Sequence, residues 1–196
     1  LGKGHWEVLS EASIGKATLS AMGVRSWLAQ NPQPAPELMS KILGSYFGGR
    51  TEVRWRKTVR QVFHTDFTSM YPTVCTLQGL WRFIIAKDFT VRDTTGETRE
   101  LLAGVTAAEL ANPQFWPRLT TLVCIAPEGD LVPVRACYAQ EKNATIGLNP
   151  LTSGEPIWLT LADCIAAKIL GGKAPQILEA LSFEPGSIQS GLQPIK

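Results

Sequence analysis

The sequence predicts an α+β fold in which helices flank an antiparallel sheet. Apolar residues recur at helical spacing through residues 10–30, 37–46 and 160–170. The runs 119–126 and 131–138 are rich in strand-forming residues and flank a Pro-Glu-Gly-Asp turn, which predicts an antiparallel hairpin. The chain has 196 residues, of which 44% are hydrophobic and 18% charged, so it is long enough to bury one core.

The N-terminal part of the chain is predicted to be helical. Ser10 or Ser13 caps a first helix, and Gly23 interrupts it. The first helix, a proline-rich connector and a second helix occupy residues 10–30, 31–36 and 37–46. We therefore expect residues 1–45 to form a helical segment that leads into a domain formed by residues 46–196.

Two predicted strands follow and lead to an aspartate. Residues 51–57 alternate between polar and apolar, with Trp55 on the apolar face. Residues 61–67 favour a strand that ends near Asp66. Paired as a hairpin, the two strands would present a basic face, because five basic residues cluster here: Arg50, Arg54, Arg56, Lys57 and Arg60.

The remaining elements alternate between short helices and strands. Residues 73–81 predict a short helix with Pro72 in its first turn. Thr106 and Glu109 form a capping-box pattern. A capped helix at 160–170, closed by Gly171-Gly172, carries Asp163 in its first turn, where a carboxylate complements the helix dipole. Other helices are predicted at 94–104, 106–111 and 115–119, and other strands at 89–92 and 144–148. Residues 177–183 fit a strand or a helix.

Composition excludes several classes of protein. No apolar run approaches the roughly 18 residues that span a bilayer, and no secretory leader pattern opens the chain, so we expect a cytoplasmic protein. The formal net charge of +2 is too small to indicate nucleic-acid binding by itself. The cysteines are irregularly spaced, which predicts reduced, mostly buried thiols: Cys75, Cys124, Cys137 and Cys164.

Asp66 is followed at once by a small hydroxyl residue, an aromatic residue and a proline. A carboxylate beside the free N–H groups of a helix start suits a divalent cation and a phosphate. An aspartate in this position also serves as an ordinary turn or cap residue. The local pattern alone leaves both interpretations open.

The string from Asp66 to Thr73 closely resembles the first palm motif of family B DNA polymerases. That motif is an Asp, two variable positions, then Ser-Leu-Tyr-Pro-Ser; here Met70 replaces Leu and Thr73 replaces Ser. The string Tyr46-Phe47-Gly48-Gly49 is similar to the Tyr-x-Gly-Gly element that precedes this motif, chiefly in the protein-primed branch of the family, and contacts the template strand there.

The resemblance implies a palm-type sheet and a role for each matching residue. Asp66 would be a catalytic carboxylate that holds Mg²⁺ together with the backbone carbonyl of Phe67. The incoming deoxynucleotide would be lined by Thr68, Ser69, Met70 and Tyr71. The DNA primer-template would be contacted by Tyr46, Gly48, Gly49, Arg50, Arg54 and Arg56.

Two further motifs of the family are not found in these 196 residues: the fingers motif and the Asp-x-Asp pair that supplies the second metal carboxylate. We therefore expect a fragment of a bacterial, phage or mobile-element polymerase, which needs the remainder of the polymerase chain and does not polymerise alone. Two alternatives remain open. One is a non-catalytic DNA-binding module based on the basic cluster, and the other is a metal-dependent nuclease that uses Asp66.

Overall fold

The computed structural model describes residues 10–50, 55, 57–137 and 144–194, without the side chains of residues 11 and 12. The helices are α1 (Glu11–Ala21), α2 (Trp27–Gln30), α3 (Pro36–Gly44), α4 (Met70–Leu77), α5 (Trp81–Ile85), α6 (Thr95–Gly104) and α7 (Leu161–Gly171). The strands are β1 (Phe89–Asp93), β2 (Thr121–Ala126), β3 (Glu128–Ala136), β4 (Thr145–Thr152), β5 (Ile157–Thr160) and β6 (Gln176–Pro185). None of the helices in these ranges is long and apolar enough to cross a membrane.

The strands form two antiparallel sheets. The larger sheet has four strands in the order β1-β6-β2-β5, and the smaller one pairs β3 with β4. Residues 177–183, which fitted either a strand or a helix, belong to β6, a central strand that pairs with β1 and β2. The predicted α+β class, with helices flanking an antiparallel sheet, is confirmed at this level.

The predicted hairpin between 119–126 and 131–138 is wrong. Both runs are strands, but β2 pairs with β5 on one side and β6 on the other, so neither of its edges is free for β3. Pro127 separates the two strands and has no N–H to donate. Beyond it, β3 leaves the larger sheet and pairs with β4 instead.

The core lies between the larger sheet and α7. Val123 and Ile125 of β2 and Leu159 of β5 are completely buried, and Leu161 and Ile165 of α7 are at most 2% exposed. Burying an aliphatic side chain of this size contributes about 1.5–3 kcal/mol relative to leaving it in water. This packing fixes α7 against the sheet and thereby fixes the position of its first turn.

The ends of α7 follow the prediction. The Thr160 hydroxyl accepts a hydrogen bond from the Asp163 N–H (3.2 Å) and donates one to Asp163 Oδ2 (2.7 Å), which caps the N-terminus. Gly172 ends the helix with φ of +74°, a left-handed conformation that favours glycine. The structural role predicted for Asp163 is therefore confirmed.

The N-terminal helices are joined to the sheet region by Gln189. Ser10 caps α1, and Gly23 follows its end with φ of +84°, so the predicted interruption is confirmed. The Gln189 side chain is buried and accepts a hydrogen bond from the Arg25 N–H (2.9 Å). Its amide nitrogen donates to the carbonyls of Arg25 and Ala86, both at 3.0 Å. Residues distant in the sequence are thus held together by one amide.

Two local predictions need correction. The short helices predicted at 106–111 and 115–119 are 3₁₀ helices at Glu109–Ala111 and Pro113–Leu119. In the second of them, Pro117 cannot supply the N–H that a continuous α-helix needs. All four cysteines are free, as predicted. Only Cys124 and Cys164 are buried, whereas Cys137 is exposed.

Candidate functional site

The segment before α4 has no regular secondary structure, so the strand predicted at residues 61–67 is wrong. Val59 is fully exposed, and Phe63 and Phe67 are 85% and 80% exposed. No backbone hydrogen bond joins residues 58–66 to any other described residue. A strand-forming composition gives no strand here because no described neighbour pairs with the segment.

The hairpin predicted for residues 51–67 has no support in its described part. Arg54 and Arg56, which were predicted to contact DNA, lie outside the described residues. Trp55 was predicted to face inward but is 72% exposed. Its ring packs under the guanidinium of Arg60, which lies 5.2 Å from the ring centroid.

Asp66 lies at the exposed end of this segment. Its Oδ1 atom accepts a hydrogen bond from the Phe67 N–H at 2.9 Å. Ser69 then adopts a left-handed conformation, with φ of +56°, and α4 begins at Met70, earlier than the predicted residue 73. The helix starts this early because Pro72, in its first turn, already has a helical φ and has no N–H to satisfy.

The first turn of α4 is open to solvent. The Ser69 side chain makes no capping hydrogen bond. Tyr71 is 74% exposed and Met70 is 45% exposed. Free N–H groups at a helix start attract anions, so this turn is suited to a phosphate group.

The Tyr-x-Gly-Gly string forms a loop after α3. Ser45 is buried and its hydroxyl donates to the Ile42 carbonyl at 2.8 Å, which turns the chain away from the helix. Gly48 has φ of +77°, a conformation that other residues rarely adopt. Tyr46 is 70% exposed at the start of this loop.

A cavity of about 380 Å³ joins this loop to α4. The loop residues from Tyr46 to Arg50 form one side of it, and Tyr71 contributes from the first turn of α4. Pro133 of β3 also lines the cavity, with Thr160 and Asp163 from the N-terminal end of α7. The fold therefore brings part of both sequence motifs to a single site.

Asp163 was not predicted to belong to this site. The sequence predicted only a structural role for Asp163 at the start of α7, and Asp163 does have that role. Its position beside the loop depends on how α7 packs on the sheet, and that packing cannot be predicted from the local sequence. The other predicted nucleotide-binding and metal-binding residues do not line the cavity: Asp66, Phe67, Thr68, Ser69 and Met70.

Helix α3 holds one end of the loop in place. The Lys41 ammonium lies 2.9 Å from Glu179 Oε1 and 3.3 Å from Glu37 Oε1. It also lies 4.8 Å from the centroid of the Trp158 ring. The hydrogen bond that the Lys41 ammonium donates to Glu179 raises the pKa of Lys41, an effect that burial partly opposes. Helix α3, which leads into Tyr46, is thus anchored to β5 and β6.

A second cavity, of about 360 Å³, differs in chemistry. It is lined mainly by apolar and aromatic side chains, among them Trp27, Phe89 and Phe183, and none of the described residues that line it is charged. The cavity beside the loop instead combines aromatic rings, a guanidinium and a carboxylate. Aromatic rings and a guanidinium suit the bases and backbone of a nucleic acid, and both sequence motifs contribute residues to the loop cavity, so we take it as the candidate site.

Within the described ranges, no group of three or more His, Cys, Asp or Glu side chains is placed to hold a metal ion. Comparison with protein-family models, with curated proteins and with solved structures found no match to the chain. Function is therefore inferred from the residues of the chain and from the way the fold arranges them.

Proposed function

We propose that the chain is part of a family B DNA polymerase, which transfers deoxynucleotides to a primer 3′-hydroxyl on a DNA template. Two strings support this proposal, Tyr46-Phe47-Gly48-Gly49 and the stretch from Asp66 to Thr73, and they occur in the order of the family. The shared cavity is the observation that supports this proposal most strongly. Tyr46 and Tyr71 are distant in the sequence, yet both line it.

The loop contributes the template contact in this proposal. Tyr46 offers an exposed ring on which a base can stack, a contact that is worth about 1–3 kcal/mol per base. Arg50 offers a charge for a phosphate. Gly48 and Gly49 have no side chains, so the DNA backbone can approach their N–H groups closely.

Asp66 contributes to the metal site. Its carboxylate is exposed, and of its two oxygens only Oδ1 accepts the Phe67 N–H. That carboxylate and the Phe67 carbonyl would hold Mg²⁺, with the triphosphate beside the open first turn of α4. When bound, Mg²⁺ lowers the pKa of the 3′-hydroxyl and neutralises the triphosphate. The second carboxylate would come from the remainder of the polymerase chain.

DNA binding tests the template contact. We expect the chain to bind single-stranded DNA, measured by fluorescence anisotropy with a labelled oligonucleotide. Tyr46→Ala should weaken binding at least fivefold, since stacking contributes about 1–3 kcal/mol. Arg118→Gln is the matched control, because Arg118 is an exposed arginine that does not line the loop cavity. Equal losses in both variants would contradict a specific site.

Metal binding tests the proposed role of Asp66. We expect Mn²⁺ to broaden the amide NMR signals of residues 66–71, and we expect Asp66→Asn to abolish this effect. Asp88→Asn, at another exposed aspartate, should leave it intact. Unchanged broadening in Asp66→Asn would overturn the metal role and favour the non-catalytic DNA-binding alternative.

Primer extension tests whether the metal site is incomplete. With primer-template, deoxynucleotides and Mg²⁺, we expect the chain alone to incorporate no nucleotide. The reason is that these 196 residues contain no Asp-x-Asp pair. Robust incorporation would show that the chain already carries a complete site and would overturn this part of the proposal.

A further inference from the structure

Arg135 of β3 contacts the loop from outside the cavity. Its Nη2 atom donates a hydrogen bond to the Tyr46 carbonyl oxygen. The same guanidinium lies 4.7 Å from the centroid of the Phe47 ring. Arg135 itself does not line the cavity. Arg135 therefore contacts two consecutive loop residues from outside the cavity that they line.

This double contact depends on the shape of the guanidinium. A planar guanidinium donates in its plane and stacks on an aromatic ring with its face. A lysine ammonium is a point charge and cannot do both in the same way. Phe47 also packs against the hydrophobic core, so the ring that Arg135 covers is itself held in place.

The strand beneath the loop gives Arg135 a rigid base. Arg135 pairs with Ile146 in the register of β3 and β4. A side chain built at Gly48 would lie 3.9 Å from Ile146 Cδ1, so the loop rests on the same strand pair. Lys41 anchors the helix before the loop, and Arg135 anchors its first two residues. Gly48 and Gly49, which follow, have the greatest backbone freedom of any residue type.

We propose that Arg135 is a positioning residue for the template contact. It holds Tyr46 and Phe47 so that the Tyr46 ring meets a base of single-stranded DNA, and it does not bind a phosphate itself. This inference rests on the proposed function of the loop. It adds a residue that neither motif contains.

The salt dependence of DNA binding separates positioning from direct contact. Neutralising a residue that binds a phosphate lowers the slope of log K against log salt by roughly 0.7 for a single strand. We expect this change for Arg50→Gln. Arg135→Gln should weaken binding roughly fivefold to tenfold, as expected when a cation–π contact and a hydrogen bond are lost, and should leave the slope unchanged.

Two further variants sharpen the test. Arg135→Lys keeps the charge but not the planar contact, so we expect it to restore only a small part of the affinity. In Tyr46→Ala, adding Arg135→Gln should cause little further loss, because both changes remove the same contact. Full restoration by lysine, or fully additive losses, would overturn the inference.

Hydrogen exchange checks that the effect is local. Without DNA, Arg135→Gln should speed exchange of the amides at residues 47–50 and leave those of α7 unchanged. Unchanged exchange at 47–50, or faster exchange throughout the chain, would contradict a positioning role. If the wild-type chain binds no single-stranded DNA, the proposed function fails and the DNA role of Arg135 fails with it. If it binds and Arg135→Gln binds equally well, only this inference fails.

Discussion

Strands β2 and β5 of the larger sheet and the segment at 57–69 have similar apolar residues but opposite environments. Val123, Ile125 and Leu159 are completely buried, whereas Val59 is fully exposed and Phe63 is 85% exposed. Strand β2 has antiparallel neighbours on both sides and β5 has one, whereas residues 58–66 have no backbone hydrogen bond to a described residue. The difference shows that a strand-forming pattern becomes a strand only where a neighbour pairs with it and a layer covers it.

The two halves of the candidate site lie in these two different environments. The loop at Tyr46–Arg50 is anchored on the packed sheet through Lys41 and Arg135. Asp66 lies on the exposed segment, whose position no tertiary hydrogen bond among the described residues fixes. In the proposed function, the loop on the packed sheet would make the DNA contact, and residues from the remainder of the polymerase chain would complete the metal contact at the segment.

The largest contrast should appear in stability. Ile165→Ala, in the core, should lower the free energy of unfolding by about 2–5 kcal/mol, because it removes buried methyl groups and leaves a cavity. Phe63→Ala removes a larger side chain but should change stability by less than about 0.5 kcal/mol, because the ring is exposed. Urea unfolding followed by circular dichroism measures both. Similar costs for the two variants would mean that the segment is packed.

A smaller contrast concerns the two helix starts at the site. Thr160→Ala should cost about 1 kcal/mol, since it removes the cap of α7. Ser69→Ala should cost less than about 0.5 kcal/mol, because the Ser69 side chain caps nothing at the start of α4. The same unfolding experiment compares them. A cost of about 1 kcal/mol for Ser69→Ala would indicate that the Ser69 side chain makes a capping hydrogen bond that is not among the described contacts.

Several local features of the fold could be predicted from the sequence. A cap at Ser10 or Ser13, the capped start of α7 and the breaks at Gly23 and at Gly171-Gly172 were predicted because each depends on residues within one helical turn. The pairing of β2 with β5 and β6 could not be predicted, since it depends on strands far apart in the chain. The cavity partners Tyr46, Tyr71 and Asp163 depend on the same long-range packing.

The third contrast is chemical and concerns the cysteines. Burial raises the pKa of the Cys124 and Cys164 thiols, so less reactive thiolate forms there. We expect a thiol reagent at pH 8 to modify the exposed Cys137 first and the half-buried Cys75 next. Cys124 and Cys164 should react only after unfolding, as followed by mass spectrometry. Early modification of Cys164 would show that the packing around α7 opens readily.

The smallest expected effect is a pH dependence at the start of α6. Hydrogen bonds from the Thr95 hydroxyl and N–H to Asp93 Oδ1 lower the pKa of Asp93. Its contribution to stability is therefore fully present above the pKa of the unfolded chain, about 3.9, and is lost as the pH falls through the lower folded pKa. Asp93→Ala should be slightly less stable than wild type at pH 7. Urea unfolding should show that the difference in stability between the two proteins shrinks towards pH 2. A difference that stays constant with pH would mean that the Asp93 carboxylate is not its cause.

In the proposed function, the loop at Tyr46–Arg50 binds the template strand of a polymerase substrate. The most direct test compares the affinity of the chain for a primer-template with a single-stranded overhang and for a blunt duplex of equal length. We predict tighter binding to the overhang substrate, with that preference lost in Tyr46→Ala and kept in Arg118→Gln. Equal affinity for the two substrates, or an unchanged preference in Tyr46→Ala, would contradict the claim.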